Sequence, residues 1–336
     1  MARQPMSVDG KSILVTGAAR GIGAEAARRL ARRGGRLALV GLEPEPLAAV
    51  AAECGPEAMW VEADVTDPAA FERAVSAVRE RFGGIDVVVA NAGIGAGGLV
   101  RSVDPAAFER VLEVNLLGTW RTVRACLPSV IERRGYVLVV ASMAAVVHAP
   151  GMAAYCASKA GAEAFANSLR LEVRHLGVDV GVAYFGFIDT DLVRASDEHP
   201  AFGSMRREVG GAMARTYPLS AAGEAIEEGV LGRARKVVVP RYARWGILAR
   251  GLLPALVDRQ AARRVPQMEA RAAAAIDELG VERASAPVGP GGAAATAADG
   301  RSAGSAAGSA GSAAGSDGSG AGSASSAAES GAPVPR

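Results

Sequence analysis

The sequence predicts an α/β fold, a doubly wound parallel sheet in one domain, and three observations predict it. Short apolar runs alternate with helix-patterned stretches through most of the first 240 residues. The runs are nearly continuous in apolar side chains, as strands covered on both faces must be. A glycine-rich turn joins the first run to the first helical stretch.

Taken in order, strands are expected at 12–16, 36–40, 58–62, 85–90 and 136–141, with helices at 23–33 and 68–82 between them. Asp67 can cap the second of these helices, with Pro68 at its first position. A long helix at 153–175 follows, then a strand at 178–184. A polar, flexible stretch covers 191–217, and a helix at 221–233 leads to a strand at 236–240. One α/β domain therefore spans 10–242. A helical extension occupies 243–283, with an apolar, arginine-studded helix at 243–257 and a more polar one at 265–279. Residues 284–336 are rich in Ala, Gly and Ser, with too few large apolar side chains to offset the entropy of ordering, and are expected to be disordered.

Composition excludes several function classes. With 37 basic and 35 acidic residues the net charge is only +2, and no basic face is concentrated enough to suggest a nucleic-acid partner. Cys54, Cys126 and Cys156 have no metal-ligand spacing and no even-numbered disulfide pattern, so no metal is expected and the thiols read as reduced core residues. The first ten residues lack an apolar signal core, and no long uncharged apolar run follows, which together suggest a cytoplasmic protein. Only Lys11, Lys159 and Lys236 are lysines in a chain whose default cation is Arg, so a lysine can mark a need for a compact ammonium.

The turn after the first strand reads Thr16-Gly17-Ala18-Ala19-Arg20-Gly21-Ile22-Gly23. Glycines there let the backbone approach a pyrophosphate, and the following helix start supplies amide donors. Tyr155 and Lys159 are four apart on one helix face, and Ser142 lies thirteen residues before Tyr155 at a strand's carboxyl end. With Asn115 in Val114-Asn115-Leu116, Asp64-Val65 after the third strand and Asn91-Ala92-Gly93 after the fourth, the ordered set resembles the short-chain dehydrogenase/reductase family over roughly residues 10–240.

That resemblance implies a Rossmann-type fold and an NAD(P)(H)-dependent oxidoreductase interconverting an alcohol and a ketone or aldehyde. It implies Asn115, Ser142, Tyr155 and Lys159 as the catalytic set, with Asn115 anchoring a water in the proton relay. Cofactor contacts would come from Gly17, Arg20, Gly21, Ile22, Gly23, Asp64, Val65, Asn91, Ala92, Gly93, Tyr155, Lys159, Ile188 and Thr190. Three departures stand out. Ala90 replaces the Asn that usually opens the Asn-Ala-Gly motif, Phe185 replaces a usual Pro, and the family's Asp-Gly-Gly ending is absent.

Tyr155 can exchange a proton only if its pKa falls from about 10 toward neutrality, a change of about 4 kcal/mol for three units. The Lys159 ammonium and a positively charged nicotinamide are the expected sources of that drop. Gly41 stands where an NAD-selecting acid would sit, and Arg20 could meet a 2′-phosphate, so NADP(H) is expected over NAD(H), although Glu43 can take the acidic role. Pocket walls at 93–100, 144–148, Phe187 and the loop after Asp191 are mostly apolar and favour a hydrophobic alcohol or carbonyl substrate. A homo-oligomer is expected, a dimer before a tetramer. Two alternatives stay open: a dinucleotide-binding regulator or scaffold without turnover, and an enzyme of lipid-like substrates whose helix at 243–257 makes peripheral membrane contact instead of packing on the domain.

Overall fold

The computed structural model describes residues 5–199, 203, 214–251 and 253–312. Residues 1–298 form one compact unit, and 299–336 a second whose described part, through Ser312, is helical.

Seven parallel strands make one sheet in the order β3-β2-β1-β4-β5-β6-β7. They are β1 (Ser12–Thr16), β2 (Arg36–Gly41), β3 (Met59–Glu62), β4 (Val87–Ala90), β5 (Tyr136–Val140), β6 (Asp179–Phe185) and β7 (Lys236–Val239). The strand order reverses at β1, which pairs with β2 on one side and β4 on the other. Ligands bind at such a switch point, outside the carboxyl ends of the strands.

Helices cover both faces: α1 (Gly21–Arg32), α2 (Pro44–Cys54), α3 (Pro68–Phe82), α4 (Pro105–Leu112), α5 (Gly118–Glu132), α6 (Ala153–Val173), α7 (Asp191–Glu198) and α8 (Leu219–Leu231). Successive strand residues point to opposite faces, and each face has its own core. Leu14, Val40, Val88 and Val139 pack with α3, α5 and α6 residues such as Phe71, Val123 and Leu169. Ile13, Val15, Val89 and Leu138 pack with α1, α2 and α8 residues such as Leu30, Leu47 and Ile226. This double burial explains why the strands read as unbroken apolar runs. Asp67 caps α3 by accepting from the Ala70 amide at 3.0 Å. Lys11 donates to the buried Asp86 at 3.0 Å, which makes this lysine a structural one.

The C-terminal third departs from expectation. The apolar helix stops early as α9 (Ala243–Leu248), and α10 runs unbroken over Leu253–Leu279, with Gly251 and Pro254 at the join. Ile247 is buried in the main core, and Arg250 donates to Glu163 on α6 at 2.8 and 3.3 Å, so the extension belongs to the same compact unit as 10–242. The first part of the segment that composition assigned to a disordered tail, 284–298, belongs to the compact unit. Val281–Ser285 forms α11 and Gly289–Ser312 forms α12, with Ala284, Ser285 and Ala295 buried. Small side chains gave no sequence signal because this segment is held largely by its backbone. The rest of the expected tail, 313–336, lies outside the described residues. Of the expected flexible stretch, Asp191–Glu198 is helical, while 200–202 and 204–213 lie outside the described residues.

Candidate active site

The cleft that gathers the expected site residues opens at the carboxyl ends of β1 and β4. Gly17 sits there at φ +64°, and a Cβ on it would lie 2.8 Å from the Ala92 Cα, so only glycine fits the approach of the two loops. Thr16 fastens them: its hydroxyl accepts from the amides of Asn91 (3.0 Å) and Ala92 (3.1 Å). The Asn91 amide group donates back to the carbonyls of Thr16 (3.0 Å) and Gly17 (3.2 Å). Gly21 and Ile22 line the cleft and begin α1, and Gly23 is buried beneath them. Across the cleft Thr190 caps α7, accepting from the Val193 amide at 3.4 Å, while a bridge between Ile188 and Tyr217 fixes the turn before it.

Asp64 and Val65 form the wall beyond β3. One Asp64 oxygen accepts from the Thr66 amide at 2.8 Å and the other from Arg110 at 3.2 Å. Arg20 is engaged as well. It donates to both carboxylate oxygens of Glu43, through Nε at 3.0 Å and through Nη2, and to Asp191 at 3.4 Å.

At the other end of the cleft, Ser142, Tyr155 and Lys159 converge. Ser142 follows β5, accepts from the Ala144 amide at 3.1 Å and donates to the Phe185 carbonyl at 3.3 Å. Its hydroxyl faces the Tyr155 side chain closely enough to act on the phenol's proton affinity. Lys159, one turn along α6, is buried and donates to the Val140 carbonyl at 3.0 Å, with its nitrogen 5.8 Å from the Tyr155 ring centre. Asn115 lies in a π-turn at Glu113–Leu117, a feature often found at functional positions. Its side chain accepts from the Ile94 amide (2.8 Å) and donates to the Ile94 carbonyl (2.9 Å) and to Ser158 (3.1 Å). Asn115 thus holds the loop after β4 against α6. A Cβ on Gly93 would lie 3.1 Å from its oxygen and 3.2 Å from the Lys159 nitrogen.

Burial raises the Tyr155 pKa above its ordinary value, with the Ser142 hydroxyl opposing it. Burial lowers Lys159 to about 8. The expected drop at Tyr155 is therefore not supplied by the protein alone. Removing the phenol from water outweighs the local interaction with Ser142.

A family model described as short chain dehydrogenase matches residues 11–201, more than half of the chain. The chain belongs to the short-chain dehydrogenase/reductase family. It is 34% identical over 198 residues to the 3-oxoacyl-(acyl-carrier-protein) reductase FabG of Escherichia coli K12, covering 58% of this chain and 81% of that one. It is 32% identical over 216 residues to a sorbitol dehydrogenase of Cereibacter sphaeroides, covering 62% and 84%. A short-chain type dehydrogenase/reductase from Mycobacterium marinum superposes with a TM-score of 0.63 at 23% identity, covering 69% of this chain and 95% of that one, a likeness of fold. As a short-chain dehydrogenase/reductase the protein is an oxidoreductase acting on CH–OH or carbonyl groups with NAD(P)(H). No described helix is long and apolar enough to cross a membrane.

Several neighbours of this site were not singled out from the sequence. Thr16 and Ser158 lie within the glycine-rich turn and the Tyr155–Lys159 stretch, but nothing in those motifs marks them as hydrogen-bond anchors. Arg110 joins Asp64 to the Ala295 carbonyl (2.9 Å), a link between distant segments that no local pattern betrays. Residues 288–292, 294 and 295 line the cleft, from a segment composition assigned to disorder. Of the expected pocket walls, Gly93, Ile94 and the turn 191–193 line this cleft, whereas 144–148 and Phe187 are not among its lining residues.

Proposed function

We propose that this short-chain dehydrogenase/reductase interconverts a hydrophobic alcohol and its ketone or aldehyde, with Tyr155 as the proton donor and acceptor. The observation that carries this is the convergence of Ser142, Tyr155 and Lys159 at one end of the dinucleotide cleft. When bound, the nicotinamide supplies or takes the hydride. In reduction the Tyr155 hydroxyl gives its proton to the carbonyl oxygen, which Ser142 holds by a hydrogen bond. The buried Lys159 ammonium then stabilises the phenolate left behind. Asn115 acts as a positioning residue through Ile94 and Ser158. The residues named above for the cofactor, from Gly17 to Thr190, would hold the dinucleotide, and apolar Ile94, Leu192 and Val193 support a hydrophobic substrate. Assaying hydrophobic ketones and alcohols beside polyols, by nicotinamide absorbance, tests the reading. Turnover confined to polyols would overturn the substrate class.

The choice of dinucleotide turns on Arg20. An NADP(H) preference needs its guanidinium for the 2′-phosphate, but Glu43 and Asp191 hold it, and the Glu43 carboxylate would repel that phosphate. The pair as it stands favours the 2′-hydroxyl of NAD(H). Glu43→Gln is expected to shift the ratio of the two dissociation constants at least tenfold toward NADP(H), and adding Arg20→Ala to reverse the gain. A ratio untouched by Glu43→Gln would remove the pair from specificity.

Two partner readings have surface support. Exposed Trp120 and Leu171 on α5 and α6 give apolar area for a second copy of the chain, so a homo-oligomer is proposed. On α9, Trp245 (68% exposed) and Leu248 (69%) stand beside exposed Arg241 and Arg244, a pairing suited to an anionic membrane surface. Wild-type protein should co-sediment with anionic vesicles, and Trp245→Ser with Leu248→Ser should abolish this without changing turnover on soluble substrates. Equal sedimentation of both proteins would exclude α9 as the contact.

A further inference from the structure

The C-terminal segment after α10 crosses the mouth of the cofactor cleft and is tied down on both rims. On the α4 side, the Ser285 hydroxyl accepts from the Asp104 amide at 3.0 Å, and Arg110 donates to the Ala295 carbonyl at 2.9 Å. In the middle, the Val288 amide donates to the Gly95 carbonyl at 2.8 Å, on the loop that follows β4. On the α7 side, Gly289 packs so closely that a Cβ on it would lie 3.4 Å from the Asp191 carbonyl oxygen and 3.5 Å from the Leu192 Cα. Ser285 and Ala295 are buried at these anchor points. Between them, Val288 through Gly292 line the same cleft as Gly17, Asp64 and Tyr155.

We propose that residues 285–295 form a strap that encloses the bound dinucleotide against the sheet, so that cofactor enters and leaves only when the strap lifts. The chemistry of the segment suits this role. Gly289, Pro290, Gly291, Gly292 and Ala294 open α12 and present little side-chain bulk, so the start of this helix can sit close over a ligand without filling its space. The anchors are a few hydrogen bonds and small apolar contacts, which hold a segment closed yet let it open locally without global unfolding. The strap touches both the wall carrying Asp64 and the helix carrying Asp191, the Arg20 partner. Lifting it therefore loosens both sides of the cleft together.

The inference rests on the cleft being the dinucleotide site proposed above, and the test separates the two. Full-length protein, a chain ending at 298, a chain ending at 283, and full-length Gly289→Val are each loaded with NADH or NADPH. Release is followed by stopped-flow fluorescence against an excess of oxidised cofactor, with the melting temperature measured alongside. Gly289 has φ +77°, so a β-branched residue there dislodges the strap while leaving the rest of the chain in place. The full chain and the 298 truncation should release cofactor at one slow rate. The 283 truncation and Gly289→Val should release it at least tenfold faster. An unchanged release rate in either folded variant overturns the strap. If the full chain binds neither dinucleotide, it is the cleft assignment that fails.

Discussion

Tyr155→Phe is expected to lower turnover by about 10³ or more, in the range set by loss of a positioned acid–base group and equivalent to about 4 kcal/mol of barrier. Cofactor affinity and melting temperature should change little. The ring stays packed beside Lys159, and only the hydroxyl, with its interaction with Ser142, is removed. Steady-state assays with fluorescence titration of cofactor check this. A variant retaining a tenth of the normal turnover would show that another group moves the proton. It would also revive the reading of this fold as a dinucleotide-binding scaffold in which Tyr155 is only a packing residue.

Lys159→Met should damage activity and stabilise the fold at the same time. Burial holds the folded-state pKa of Lys159 at about 8, below the ordinary 10.5. Below pH 8 both folded and unfolded chains carry the proton, and the full cost of burying the charge is present. Between about 8 and 10.5 the unfolded chain still binds a proton that the folded chain has released, so stability rises with pH across that window. The cost is on the order of 3 kcal/mol, and losing the bond to the Val140 carbonyl takes back about 1. Lys159→Met should therefore gain roughly 2 kcal/mol at pH 7, or several degrees in melting temperature, and lose the rise between pH 8 and 10.5. Its turnover should fall about 10²-fold or more, because the phenolate loses its compensating charge. Thermal melts from pH 6 to 10 on the cofactor-free protein decide the matter. A variant less stable than wild type at pH 7 would show the ammonium to be favourably solvated in place. The lysine would then be a stabilising residue, not a strained one kept for chemistry.

These two variants probe residues that were legible in the sequence. A tyrosine and a lysine four apart, with one of only three lysines in the chain, mark a helix face, and Ser142 falls at a strand end by simple counting. The strands were equally legible, because burial on both faces leaves an unbroken apolar run whatever the partners are. Glu43 and Arg20 were each visible as candidates for the ribose, but their bond was not. They are 23 residues apart, and only the strand–helix turns at β1 and β2 bring them together. Arg20, read as a candidate for a 2′-phosphate, is thus found bonded to Glu43. Arg110 is a sharper case, since its partners, Asp64 and Ala295, lie 46 and 185 residues away.

Local sequence thus determined the sheet and the glycine turn, because periodicity and spacing act within a few turns of chain, and the family resemblance named the candidate side chains. Tertiary structure decided what surrounds them. It set the protonation bias of Tyr155 and Lys159, through burial that no neighbour in sequence encodes. It also decided the fate of residues 284–298. Their Ala-Gly-Ser composition reads as disorder because an isolated segment of that kind buries too little to order itself. Laid across a cleft already built by distant strands, the same small residues are held through backbone hydrogen bonds to Gly95 and Arg110, a source of order that composition cannot report.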